Sequence, residues 1–96
     1  METDIAPEPY ADTRAALLTR DMLARQAIVT MSLQIHDRLR ARIEGGDYPP
    51  GTRLPSAKVL AERYVVHPST VSRALRMLVA EGHAVYRPGL GHFAAG

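Results

Sequence analysis

Cysteine is absent from the chain, which excludes disulfides and thiolate metal sites and fits a reducing compartment. Tryptophan is absent too, and the aromatic residues are four Tyr and one Phe. The core therefore has to be made of Leu, Ile, Val, Ala and Met. No apolar run approaches the roughly 20 residues needed to cross a bilayer. The opening Met1-Glu2-Thr3-Asp4-Ile5-Ala6-Pro7-Glu8-Pro9 is acidic and has no signal-peptide character. A cytoplasmic location and no membrane partner are expected. There is no glycine-rich phosphate loop, no nucleophile elbow and no paired-carboxylate motif. His36, His67, His83 and His92 leave no pair at i, i+4 on a helix face. These absences argue against an enzyme, a cofactor and a metal site.

What remains is ordinary material for one small domain: 96 residues, 46% of them hydrophobic. The net charge of +2 is unevenly spread. Residues 1–12 hold Glu2, Asp4, Glu8 and Asp12 and no cation, so residues 13–96 set all twelve Lys and Arg against six acids. A basic body behind an acidic tail is compatible with a polyanionic partner and equally with plain solubility.

The chain divides into three parts. Residues 1–12 read as a disordered acidic arm. Residues 13–30 read as an amphipathic helix, capped by Asp12 or Thr13, with Ala15, Leu18 and Met22 as an apolar stripe and a candidate dimerisation surface. Residues 31–96 read as the folded domain. It opens with a helix capped by Thr30 or Ser32, possible as a continuation of the one before, with Leu33, Ile35, Leu39 and Ile43 facing inward and Gly45-Gly46 at its end. The turn cluster Asp47-Tyr48-Pro49-Pro50-Gly51 leads into the short extended piece Thr52-Arg53-Leu54-Pro55. Ser56 then caps a helix over Ala57 to Tyr64, with Leu60 and Ala61 inward and Lys58, Glu62 and Arg63 outward.

A tight connection, Val65-Val66-His67, follows, with Val65 in the slot where many such turns carry glycine. Pro68 suits the first position of the next helix, because its missing N–H has no partner there. His67 stands at the cap and Gly82 at the stop. On the helix 68–82, Val71, Ala74, Leu75 and Leu78 form an apolar face. The opposite face shows Ser69, Thr70, Ser72, Arg73 and Arg76, with no acid before Glu81. After Gly82 the period changes to two. His83 to Arg87 and His92 to Ala95 read as strands joined by the turn Pro88-Gly89-Leu90-Gly91. The fold class is mainly α with a small β-hairpin: a winged helix-turn-helix with an extra N-terminal helix.

The run from Ile35 through Leu39, Ile43-Glu44-Gly45-Gly46-Asp47-Tyr48-Pro49-Pro50-Gly51-Thr52-Arg53-Leu54-Pro55-Ser56, then Thr70-Val71, Ala74-Leu75, Leu78 and Gly89-Leu90-Gly91-His92-Phe93, resembles the DNA-binding domain of the GntR family of bacterial regulators. The resemblance covers about residues 31–95. The start His67-Pro68-Ser69-Thr70-Val71 is similar to that of the YtrA-like subfamily. Many members carry arginine where Pro68 and Ser72 stand, and arginine where Lys58 stands, so the base-reading set must differ here. Such proteins normally continue into a C-terminal effector-binding or oligomerisation domain. This chain ends at Gly96, so a small-molecule effector is not expected within it.

The resemblance implies a double-stranded DNA operator read by a homodimer, with repression as the expected sign of control. Ser69, Ser72 and Arg73 are then candidates for base edges, Arg73 suiting guanine O6 and N7. Thr70 is expected to grip a phosphate, and Arg76 to meet the backbone. Ser56 and Lys58, at the start of the first helix of the pair, would cross the phosphates. His67 is a further candidate, with capping as its structural alternative. Gly89 and Gly91 let the wing tip approach the minor groove, although turn geometry alone would also require glycine. Arg87 and His92 flank the tip, and Arg53 is an ambiguous cation. The alternative to DNA binding is a winged-helix module for protein–protein interaction. RNA is disfavoured by the want of an aromatic stacking platform.

Overall fold

The computed structural model describes the backbone of residues 9–95 and the side chains from Arg20 onward. Most of the expected acidic arm, and the side chains of the stripe positions Ala15 and Leu18, lie outside that description. The elements in order are α1 (Pro9–Glu44), α2 (Ala57–Tyr64), α3 (Pro68–Ala80), β1 (Ala84–Arg87) and β2 (Gly91–Ala94).

α1 is one continuous helix of 36 residues where two segments with a cap at Thr30 or Ser32 were considered. It also takes in residues 9–12, which were assigned to the arm. Nothing between Thr13 and Glu44 breaks a helix, since glycine and proline are both missing there. Ser32 is not a cap but an interior residue. It is fully buried, and its hydroxyl lies 2.8 Å from the Ile28 carbonyl and 3.2 Å from the Thr70 carbonyl of α3. The docked stripe is Ser32, Ile35, His36 and Leu39, with half-buried Ile43 behind them. Leu33, expected inside, is 43% exposed because it stands one position off that stripe.

α2 and α3 form the helix-turn-helix. The Ser56 side chain accepts the Val59 N–H at 3.2 Å, as a capping serine should. The turn is closed by Val65, which adopts φ 56 and ψ 54 and is 86% exposed. A β-branched residue in the left-handed region crowds its own carbonyl, at a cost of about 1–2 kcal/mol. Glycine would remove that cost, and Val65 gains little packing in return. At the start of α3, Pro68 occupies the first turn and the His67 side chain accepts from the Ser69 N–H. At its end Gly82 takes φ 84 and turns the chain into the wing.

β1 and β2 pair antiparallel, with Ala84 opposite Ala94, Tyr86 opposite His92 and Arg87 opposite Gly91. The expected strands are thus displaced by one residue, and the turn is Pro88-Gly89-Leu90. The short piece after α1 adds a third line of hydrogen bonds. Arg53 bridges to Phe93, Leu54 N–H donates to the His92 carbonyl at 2.8 Å, and Ala94 N–H donates to the Thr52 carbonyl at 2.8 Å.

The core gathers Ile35 and Leu39 of α1, Leu54, Leu60 and Ala61, then Val71, Ala74, Leu75 and Leu78 of α3, closed by Ala84 and Ala94 of the wing. Leu39, Leu60 and Leu78 are wholly buried, each worth roughly 1.5–3 kcal/mol of transfer free energy. α3 is the element that the others share, lying against α1, α2 and β1.

A polar clasp joins α1 to the far end of α3. His36 is 4% exposed, and its ring nitrogens meet Asp37 Oδ1 at 2.9 Å and a carboxylate oxygen of Glu81, the residue that closes α3. His83 Nε2 stands 3.7 Å from the same Glu81 oxygen. Burial pulls the His36 pKa down, but the two carboxylates outweigh it and hold the pKa above its ordinary value. Glu81 is held below the usual carboxylate range by the His36 hydrogen bond.

Candidate nucleic-acid interface

The helical period sorts α3 into two faces. Val71, Ala74, Leu75 and Leu78 point into the core. Ser69, Arg73 and Arg76 are exposed and Ser72 is half-exposed. Their spacing of i, i+3, i+4 and i+7 sets the four in one stripe along the outer surface. The helix holds no acid, and no ion pair among the described residues engages Arg73 or Arg76. This face therefore presents two cations free of internal ion pairs among the described residues, together with two hydroxyls, of which Ser69 is engaged by His67.

Thr70 does not belong to that stripe. It was expected to grip a phosphate, yet it is 5% exposed and faces α1, with its carbonyl beside the Ser32 hydroxyl. The physical reason is its place in the first turn: the outward direction there falls to Ser69, and the next residue around the helix turns inward. Ser69 is the hydroxyl that the first turn exposes.

His67 does two things at this end. Its Nδ1 accepts the Ser69 backbone N–H at 3.1 Å and lies 2.8 Å from Ser69 Oγ. An Nδ1 that accepts an N–H carries no proton of its own, so the N–H of this ring is on Nε2. Lys58 of α2 lines the same surface hollow as His67 and Pro68. The start of α2 and the start of α3 are thus side by side, with Lys58 exposed. The Ser56 hydroxyl oxygen is engaged in capping, which leaves its proton to donate.

The wing carries the remaining candidates on two faces. On the outer face the Arg87 guanidinium sits 5.4 Å from the centre of the Phe93 ring. Arg53 lies across Gly91: a Cβ built on Gly91 would come within 3.4 Å of Arg53 Nε. Gly91 has φ 111 and Gly89 has φ 78, so both glycines are required by backbone conformation. Arg53 therefore lies against the wing. On the inner face, toward α3, the Tyr86 and His92 rings stack with centroids 4.9 Å apart and a tilt of 46°. Tyr86 was not among the expected site residues. Its signal was the hairpin register: pairing Arg87 with Gly91 sets Tyr86 opposite His92.

Ser69, Ser72, Arg73 and Arg76, the Lys58–His67 hollow, and a glycine-tipped wing are thereby carried on one folded unit. A match to the family described as bacterial regulatory proteins, gntR family, extends over residues 31–93. The chain belongs to the GntR family. Among curated relatives, the probable rhizopine catabolism regulatory protein MocR of Rhizobium meliloti is 38% identical over 74 residues, which is 77% of this chain and 15% of that protein. The HTH-type transcriptional repressor NagR of Bacillus subtilis is 33% identical over 69 residues, 72% of this chain and 28% of NagR. This GntR chain spans less than a third of the length of the curated relatives it matches.

Solved structures agree on the fold. The AraR DNA-binding domain in complex with operator ORR3 superposes with a TM-score of 0.66 at 25% identity, over 68% of this chain and 78% of that one. YtrA of Sulfolobus acidocaldarius, a GntR-family transcription factor, superposes with a TM-score of 0.63 at 32% identity, over 68% of each chain. The winged helix-turn-helix read from the sequence is the fold observed, and the GntR assignment made on the motif run stands.

Proposed function

We propose that this chain is the DNA-reading part of a transcriptional regulator, with α3 in the major groove of an operator and the Pro88–His92 wing in the adjacent minor groove. The observation that carries this reading is the acid-free outer stripe Ser69, Ser72, Arg73 and Arg76 on α3. Arg73 suits guanine O6 and N7, Ser72 reaches a base edge or a phosphate, and Ser69, whose proton is held by His67, offers its oxygen as an acceptor to a base edge. Lys58, Ser56 and the helix N-terminus hold the backbone, as helix N-termini favour phosphate. Arg53 and Arg87 bring charge to the wing. The operator complex of the related AraR domain supports a DNA partner, and the repressor NagR supports repression as the sign of control. The reading places the chain in the cytoplasm and assigns it neither an enzymatic activity nor a small-molecule effector.

The second half of the proposal is a homodimer, each copy reading one half-site. All described residues of α1 from Arg20 to Met31 are exposed, among them Met22 at 63% and Leu23 at 58%. A helix with that much uncovered apolar surface is poorly stabilised on its own, and a second α1 would cover it.

Selection of bound sequences from a random duplex pool, followed by footprinting, tests both halves together. A palindromic site protected in two half-sites is the expected result, with affinity falling steeply as salt rises. Salt-insensitive binding, or no enriched sequence, would instead make this a protein-interaction module. Sedimentation of the whole chain is expected to show a dimer that deletion of residues 1–29 converts to a monomer.

A further inference from the structure

Between α3 and the inner face of the wing runs a cleft of about 560 Å³, lined by Ser72, Arg76, Val79 and Ala80 on one side and by Tyr86 and His92 on the other. We infer that this cleft is a clamp for a single sugar–phosphate strand, with Tyr86 and His92 as its wing-side jaw. The inference rests on the DNA reading above and adds to it the groups that hold the backbone between the two grooves.

The topology of a duplex carries the first step. The major and minor grooves are separated by one phosphodiester strand at a time. A protein with a helix in one groove and a wing in the next must let that strand pass between them. Here the cleft between α3 and β1–β2 offers such a passage among the described residues.

Its lining suits that occupant. No acid lines it, and Arg76 supplies a cation from the α3 side. Ser72, Tyr86 and His92 add donors, and among the described residues none of the three has a side-chain hydrogen bond. Tyr86 is 53% exposed, so the residue is accessible to an occupant of the cleft. Burial holds His92 below its ordinary pKa, so its ring is neutral in the free protein and offers one N–H. The floor of Val79, Ala80 and the Tyr86 ring is apolar and matches the C–H surface of deoxyribose.

The register explains why these two residues stand there. Ala84 and Ala94 form a cross-strand pair buried against α3. Two residues toward the tip, on the same face, the next pair is Tyr86 and His92. Where the sheet leaves the core, small apolar residues give way to long polar-tipped ones that still face the helix. Their stacking, at 4.9 Å, holds both polar ends at one side of the cleft.

A phosphate clamp is blind to base sequence, and this separates it from Arg73. The test compares wild type, Tyr86→Phe, His92→Ala and Arg73→Ala on the selected operator and on a scrambled duplex of equal length. Ethylation interference identifies the phosphates that matter. Tyr86→Phe keeps the ring and its stacking and removes only the hydroxyl, and circular dichroism confirms that each variant is folded. Tyr86→Phe and His92→Ala are each expected to weaken binding by roughly three- to ten-fold, equally on both duplexes. Interference at one phosphate between the protected grooves is expected in wild type and is lost in both variants. Losses under two-fold, losses confined to the operator, or interference unchanged in Tyr86→Phe would each overturn the clamp. A wild type that binds neither duplex would overturn the DNA reading itself.

Discussion

On the inward face of α3, Val71, Ala74, Leu75 and Leu78 are at most 1% exposed; on the outward face, Ser69, Arg73 and Arg76 stand in solvent. Both faces come from one stretch of 13 residues, divided only by the helical period. The inward set anchors α3 against α1, α2 and β1 and carries no polar side chain. The outward set carries the charge and hydroxyls and contributes almost nothing to packing. Stability and recognition are therefore separable by substitution on a single helix. Thr70 is the one residue that crosses the division, a hydroxyl-bearing side chain on the buried side.

The largest expected effect comes from the inward face. Leu75→Ala removes a side chain that is 1% exposed and should cost about 2–5 kcal/mol, enough to unfold much of a domain this size. Denaturant titration measures it. The mirror experiment is Arg73→Ala, expected to weaken operator binding roughly 10- to 100-fold while changing stability by less than about 0.5 kcal/mol. If Arg73→Ala melted early, or Leu75→Ala bound normally at full stability, the two faces would not be independent.

A smaller effect is expected from the clasp at the end of α3. The His36 pKa is raised above its ordinary 6.5. Its contribution is therefore fully present below that value and lost as pH rises through the raised one. The Glu81 pKa is lowered from 4.5, so its contribution is present above that value and lost as pH falls through the depressed one. The clasp should hold best between these two ordinary values and loosen toward alkaline pH. Wild-type stability should decline above pH 6.5 more steeply than that of His36→Gln, as thermal melts at several pH values would show. Parallel curves would remove His36 from the account. The smallest effect is Val65→Gly, expected to raise stability by about 0.5–1 kcal/mol, since the left-handed turn then costs no side-chain crowding. Denaturant titration measures it, and DNA affinity is a separate readout, because Val65 borders the Lys58–His67 hollow.

Where the elements stop was legible because those residues act locally. Pro68, Ser56, Gly82 and the paired glycines after α1 mark boundaries through their own backbone chemistry, and each mark held. The docked stripe of α1 was harder to read because Ser32 and His36, two of its four buried residues, are polar and hide the period. Both are satisfied by partners far along the chain, Thr70 and Glu81, which no local pattern announces. The same applies to the site. The cations and hydroxyls of α3 could be read from spacing, whereas Tyr86 emerged only once the hairpin register was known, and Thr70 changed sides only once α1 was seen to cover it.

α1 has one consequence of a mechanical kind. Among the described side chains, α1 is buried by the domain only from Ser32 onward, and the molecule measures 65 × 26 × 23 Å. The shaft of α1 before Ser32 has a length of about 35 Å at 1.5 Å per residue. As a lever it has gain: a rotation of about 10° at the Ser32–Thr70 seat moves its far end by about 6 Å, approaching two base-pair steps of DNA. If two copies join through these shafts, the seating angle at one buried serine governs how far apart their reading helices stand.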